Sequence, residues 1–187
     1  MPLLRKGDRV ADTLIPGWGK GIVLNEATAK ELIIFFVWGG KKKYALEAEG
    51  LVLLSGIKAN NPILDLIETD FLANNYLLNK HRYVHHNVYV IELHKQVLNE
   101  RSFLNANQGR DPLKPCVYVG MTGLSPEQRF KNHKEGYRSS RFPHKYGQRL
   151  LSRLFRDFNP MPYELAKLIE PELAAHLRSK GYVVWQN

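Results

Sequence analysis

The chain has 187 residues, a formal net charge of +9 and one cysteine, with 44% hydrophobic and 24% charged residues. This balance supports a packed core and excludes wholesale disorder, and no apolar run is long enough to span a bilayer. Lone Cys116 excludes an intramolecular disulfide or a Cys-rich zinc site, and with no secretory h-region at the start a reducing cytoplasm is the expected location.

Residues 1–56 are expected to form short strands. Gly7-Asp8-Arg9-Val10 opens one, Pro16 to Gly21 makes a glycine-rich turn into Ile22-Val23-Leu24, and Leu32 to Trp38 is strongly β-prone. Gly39-Gly40 turns the chain into Lys41-Lys42-Lys43-Tyr44-Ala45-Leu46. Such spacing suggests a small β-barrel. Trp18, Phe36 and Trp38 are candidates for its core, with at least two of them expected there. Lys41-Lys42-Lys43 is expected at a solvated hairpin tip, within reach of a phosphate backbone. The Gly7-Asp8-Arg9-Val10, Gly19-Lys20-Gly21-Ile22-Val23 and Phe36-x-x-Gly39-x-Lys41 stretches resemble the Tudor/SH3-like module appended to bacterial repair helicases. More loosely, they resemble a polymerase-binding barrel of transcription regulators. The resemblance implies a protein or nucleic-acid partner for this module.

Residues 57–82 read as a helical connector. Asn61 is a natural N-cap with Pro62 at the first helical position, and Ile63, Leu64, Leu66, Ile67, Phe71, Leu72, Tyr76 and Leu77 recur at helical spacing.

Residues 83–187 change pattern to strand, insertion, strand, helix. Asn87 to Leu93 is β-prone and Cys116 to Gly120 is a second strand; the polar stretch 95–115 between them, with Asn105, Asn107, Gly109 and Pro112, reads as a long hairpin excursion. Ser125, Pro126 and Gln128 then supply an N-cap, a first-turn proline and a capping box. The helix they open carries Arg129 and His133 one turn apart on one face. From Arg129 to Arg156 nine Lys or Arg face a single acid, Glu135, in sequence. Such a basic segment suits phosphate neutralisation. Lys131, Lys134, Arg138, Arg141, Arg149 and Arg153 are its candidate DNA contacts. Tyr146, Arg149, Arg153 and Arg156 are expected along one helix, with Leu150, Leu151, Leu154 and Phe155 on its other face; an ordinary solvated helix face is the plainer alternative.

An arginine fork beside strand tyrosines makes a coherent phosphate site, with Tyr or His able to exchange a proton. The ordered set resembles the GIY-YIG nuclease family. Asn87-Val88-Tyr89 stands for its first strand motif and Tyr118-Val119-Gly120 for its second; Arg129 and His133 fall on its first helix. Leu165-Ala166-x-x-x-Glu170-x-x-Leu173-Ala174 resembles its glutamate helix, running on to Gly181 as C-cap, and Asn187 resembles the asparagine that closes the domain. Two departures are Asn87 in place of the first glycine and the long gap from Tyr89 to Tyr118.

The resemblance implies an α+β fold: a small N-terminal SH3/Tudor-like β-barrel, a helical connector and a C-terminal small antiparallel sheet flanked by helices. It implies a metal-dependent endonuclease, a hydrolase acting on DNA phosphodiester bonds, of restriction, repair or mobile-element type. Mg²⁺ (or Mn²⁺) would be held by Glu170, with Glu172 as rival ligand. Tyr89 would be general base, as a phenolate favoured by nearby positive charge; Tyr118 would position water or phosphate. Arg129 would neutralise the transition state, and His133 would assist with a proton or a phosphate hydrogen bond. The site residues also have structural readings: either tyrosine as a core residue, Tyr118 the readier of the two, Arg129 as a plain phosphate clamp, His133 as surface, Glu170 as an N-cap before Pro171. The alternatives are a noncatalytic nucleic-acid-binding adaptor that keeps the nuclease fold, and an RNA nuclease. One active site per chain allows a monomer that nicks or a homodimer that cuts both strands, with no membrane involved.

Overall fold

The computed structural model describes residues 4–26, 30–79, 82–108, 110–111 and 113–186. The chain is α+β with two sheets. It divides into two compact units, Met1–His85 with Asp157–Leu165, and His86–Arg156 with Ala166–Asn187. Among the described residues no helix is long and apolar enough to cross a membrane.

In the first unit, β1 (Arg9–Asp12), β2 (Lys20–Val23), β3 (Glu31–Phe36), β4 (Gly40–Ala45) and β5 (Leu51–Leu53) form an antiparallel sheet in the order β4-β3-β2-β1-β5. Val10, Val23, Leu32, Ile34, Phe36 and Leu51 make its core. The expected closed barrel is not what forms: among the described residues the sheet is an open path with β4 and β5 at its edges. The reason lies in β5, which offers only three residues, pairs with β1, and leaves Val52 and Leu53 exposed. Phe36 is buried and Trp18 packs partly against the core, whereas Trp38 is exposed.

Lys41, Lys42 and Lys43 lie within β4, not at the hairpin tip, because the turn closes earlier, before Gly40. Their charges are engaged at home: Lys42 with Asp157, Lys43 with Glu31 at 2.5 Å, Lys41 with the Pro160 carbonyl at 3.3 Å.

After the sheet comes α1 (Pro62–Leu66), whose N-cap Asn61 accepts from the Ile63 and Leu64 amides. It runs into a wide helical turn at Ile67–Leu72, with Ile63, Leu64, Ile67 and Phe71 buried. Arg9 holds this helix to β1 through Asp65 at 3.2 Å and through Glu68.

The second unit is built on β6 (Val84–Leu93) from His86 onward, α2 (Arg101–Asn105), β7 (Cys116–Thr122), α3 (Pro126–Glu135), α4 (Arg141–Tyr146), β8 (Gly147–Leu150), α5 (Tyr163–Ser179) from Ala166 onward and β9 (Val183–Gln186). Its sheet order is β9-β7-β6-β8, parallel between β9 and β7 and antiparallel elsewhere. Stretch 95–115 is not an open excursion: it holds a 3₁₀ turn at Lys95–Asn99 and α2. Apolar residues explain why it packs; Val97 and Phe103 are fully buried, and the Phe103 ring meets Phe142 at 5.3 Å and Trp185 at 6.2 Å. Gly109 and Pro112 lie outside the described residues.

The helix expected over Tyr146–Arg156 is replaced by β8 and a 3₁₀ turn at Ser152–Leu154. Gly147 ends α4, and a Cβ there would lie 2.3 Å from the Pro143 carbonyl oxygen, a close approach only glycine permits. The chain then pairs with β6, placing Arg149 opposite Glu92. Leu151 and Phe155 are buried as the apolar pattern required, without helical geometry.

Candidate functional site

Cross-strand register creates the centre of the site. Tyr89 pairs with Gly120 and Ile91 with Tyr118, and positions two apart along a strand share a face. Tyr89, Gly120 and Tyr118 therefore line one face. Gly120 keeps it passable: a Cβ there would lie 2.6 Å from the Tyr89 hydroxyl and 2.9 Å from the Tyr118 ring. With no side chain in the way, the Tyr89 ring reaches diagonally to Tyr118, centroids 6.0 Å apart. Both rings are buried, Tyr89 to 1% exposure and Tyr118 to 3%. The Asn87 position is ordinary strand backbone, absent from the left-handed residues among those described. Its side-chain Nδ2 donates to the Leu124 carbonyl at 3.0 Å.

α3 covers this face. Ser125 caps it by accepting from the Gln128 amide, Pro126 takes the first position, and left-handed Gly136 closes it. Arg129 and His133, four residues apart, both turn to the tyrosines. The His133 Nε2 lies 2.9 Å from the Tyr89 hydroxyl, its ring 5.6 Å from that of Tyr118. Arg129 hydrogen-bonds Tyr89, and Tyr89 hydrogen-bonds Tyr118. His133 is fully buried, so the reading of it as a surface residue falls.

α5 brings the carboxylate. It runs unbroken through Pro171, so Glu170 is mid-helix and not an N-cap. Glu170 acts electrostatically on Tyr118 and hydrogen-bonds Gln186 of β9. Glu172 instead acts on His176, one turn along. Two residues on a helix point about 200° apart, so only one of the rivals can face the tyrosines. That one is Glu170.

Burial governs the protonation states. Desolvation pushes Tyr89 above the ordinary phenol value, reinforced by Tyr118 and only partly opposed by the Arg129 hydrogen bond. The resting phenolate expected from nearby positive charge is thus corrected to a neutral phenol. Burial also raises Tyr118. His133 falls to about 4, first through burial and then through Arg129 and His144, so it is neutral at physiological pH. Glu170 is raised by burial, with the neutral Gln186 amide in partial opposition.

The expected DNA contacts are exposed but several are already paired. Arg141 and Lys145 both meet Glu100, which also accepts from the Tyr146 hydroxyl at 2.5 Å. These contacts, the Tyr146 hydrogen bond foremost, hold the Glu100 carboxyl down at about 2. Arg149 pairs with Glu92 at 2.6 Å, Lys131 with Glu135 at 3.8 Å, and Lys134 donates to the Gly147 carbonyl at 2.9 Å. Arg138 lies over its neighbour Tyr137, and Arg153 is exposed on the 3₁₀ turn. Asn187 lies outside the described residues.

Sequence reasoning missed Ser139, Ser140, His144 and Gln186, which surround the site. The Ser140 amide donates to the His133 Nδ1 at 3.2 Å, and the Ser139 hydroxyl lies 3.1 Å from that same nitrogen. Ser140 also hydrogen-bonds Tyr118. His144 Nδ1 lies 2.9 Å from the His133 carbonyl. The Ser-Ser pair before a helix was the one available signal, an N-cap motif. Scans against protein-family models, curated proteins and solved structures return no match.

Proposed function

We propose that the second unit is a metal-dependent endonuclease that hydrolyses DNA phosphodiester bonds, in the manner of the GIY-YIG family it resembles. The observation that carries this reading is the meeting of Tyr89, Tyr118, Arg129, His133 and Glu170, contributed by β6, β7, α3 and α5, around one face of the sheet. A core needs no such gathering of hydroxyls, a guanidinium and a carboxylate, since each is costly to bury unpaired.

The donor set fits a divalent cation. Glu170 is a half-buried hard-oxygen donor whose charge meets a neutral amide, so a cation there relieves the burial that raises its pKa. Among the described residues no cluster of three or more metal-ligating side chains exists, so phosphate oxygens and waters would complete the shell, as Mg²⁺ accepts. When bound, such an ion supplies Lewis acidity at the leaving oxygen. Arg129 offers a fork to the nonbridging oxygens of the scissile phosphate. The hydrogen-bonded Tyr89–Tyr118 pair supplies the base: on losing one proton to solvent it holds a phenolate beside the Arg129 fork, and that phenolate takes the proton of the attacking water and returns to a neutral phenol. An adaptor that only binds nucleic acid has no use for a carboxylate turned toward Tyr118, because it repels phosphate.

In the first unit, a groove lined by Thr13, Pro16, Lys20, Val37, Trp38 and Asn61 supports reading it as an SH3/Tudor-like accessory module for a protein or nucleic-acid partner. The function is tested by incubating plasmid, branched DNA, single-stranded DNA and RNA with wild type, Tyr89→Phe and Tyr118→Phe in Mg²⁺ or Mn²⁺. DNA cleavage weakened by both variants is expected. Cleavage of RNA alone would replace the reading, and inert wild type across all substrates would defeat it.

A further inference from the structure

His133 carries one proton on its ring when neutral, and the surrounding bonds decide where. The Ser140 backbone N–H, a donor that cannot reverse, lies 3.2 Å from Nδ1. A proton on Nδ1 would set two N–H groups against each other, so Nδ1 is the acceptor and Nε2 holds the hydrogen. Nε2 in turn lies 2.9 Å from the Tyr89 oxygen. Arg129, a donor only, bonds the same oxygen. The Tyr89 oxygen thus receives two donors, and its own O–H is left to donate to Tyr118.

We propose that Ser140 is a positioning residue that locks His133 as the Nε2–H tautomer, making His133 a hydrogen-bond donor to Tyr89 and not the acceptor of its proton. The inference concerns the internal wiring of the site and rests on the nuclease reading only for its consequence in cleavage. That consequence is directional. The Tyr89 proton can leave only along its O–H toward Tyr118, once Tyr118 has lost its own proton, while His133 and Arg129, both donors to the Tyr89 oxygen, stabilise the negative charge that this loss leaves behind. The titratable and charged groups facing His133 agree with a neutral ring, namely Tyr89 on β6, Tyr118 on β7, Arg129 on its own helix and His144 on α4, and the Ser139 hydroxyl 3.1 Å from Nδ1 can donate or accept and opposes neither tautomer. Two of these are uncharged phenols, and Arg129 and His144 both oppose a second proton.

The backbone offers a clean test. Ser140 has φ −78°, inside the range that proline adopts, and as N-cap its amide is given to His133 and not to α4. Ser140→Pro therefore deletes the backbone donor together with the hydroxyl, whereas Ser140→Ala removes the hydroxyl alone, so the difference between the two variants reads the backbone donor. Nitrogen-15 NMR of histidine-labelled protein, with Ser140→Pro, Ser140→Ala and a His133→Gln assignment control, reads the tautomer directly without any substrate. In wild type and Ser140→Ala the expected result is a protonated Nε2 and a bare Nδ1, with no His133 titration until about pH 4. In Ser140→Pro the tautomer ratio should fall roughly tenfold, the weight of one hydrogen bond. An Nδ1–H ring in the wild type, a wild-type titration near the ordinary histidine value, or a ratio unmoved in folded Ser140→Pro would each overturn the proposal. In cleavage, Ser140→Pro should slow turnover more than Ser140→Ala, which also loses the hydroxyl bond to Tyr118 but keeps the backbone donor on His133. Loss of all activity in wild type would refute the nuclease reading and leave the tautomer assignment to stand on its spectrum.

Discussion

Asp12 in the first unit and Glu170 in the second are carboxylates withdrawn from solvent, and their surroundings treat them in opposite ways. Asp12 is 3% exposed and fully answered: the Tyr44 hydroxyl donates at 2.6 Å, and the Leu14 and Ile15 amides donate at 2.8 and 2.9 Å. Glu170 is half-buried, bonds one neutral amide, and keeps a raised pKa. The first arrangement is finished architecture. The second leaves a charge under-compensated, the condition on which the proposed cation site rests. The contrast extends to the cations, since Arg9, Lys42 and Lys43 in the first unit each have acidic partners, while Arg129 turns to tyrosines.

The largest expected effect that would sharpen this contrast is on turnover. Arg129→Ala should slow DNA cleavage by about 10²–10³-fold, the usual weight of one transition-state donor, and Arg129→Lys should recover little because a point charge cannot replace the fork. Single-turnover cleavage rates check both. Next comes Asp12→Ala, which strands the Tyr44 hydroxyl and two amides. It should cost about 1–3 kcal/mol of unfolding free energy in urea titration while leaving the rate per folded molecule unchanged. An Asp12 variant that stayed stable but lost cleavage would break the comparison.

The third effect concerns pH. His133 binds its proton near 6.5 when unfolded but only near 4 when folded, so across that interval the unfolded chain holds more protons. Stability should therefore fall as pH drops from about 6.5 to about 4 and level off below, and His133→Gln should flatten that segment of the curve. Smallest is Glu170→Gln without metal. The folded carboxyl is raised above its unfolded value, so its stability contribution is lost as pH rises above the unfolded value and is unfavourable at neutrality. Removing that charge should raise the melting temperature slightly, the reverse of the Asp12 result.

Much of this was legible from the sequence. The Ser125-Pro126 start, the Arg129/His133 spacing and the β-prone runs around Tyr89 and Tyr118 are local signals, and local chemistry decides them. Glu170 was preferred to Glu172 through its spacing to Leu173-Ala174, while the N-cap alternative arose because proline usually marks a helix start and Pro171 here lies within the helix. The false helix at Tyr146–Arg156 arose because leucines at helical spacing also suit a strand and turn with alternate burial, and a glycine contact with Pro143 is invisible to periodicity. Ser139, Ser140 and Gln186 were missed because tertiary folding alone brings a loop and an edge strand to the ring of His133 and the carboxylate of Glu170. The open sheet of the first unit turned on the shortness of β5, which hydrophobic pattern did not reveal.

The central claim is that five side chains of the second unit act on one phosphate with a metal ion at Glu170. Supercoiled plasmid incubated with Mg²⁺ and wild-type protein, beside Glu170→Ala at equal folded concentration, tests it most directly. The account predicts nicked or linear plasmid for the wild type and intact supercoils for the variant, with DNA binding retained; equal cleavage by both proteins, or none by either, would contradict it.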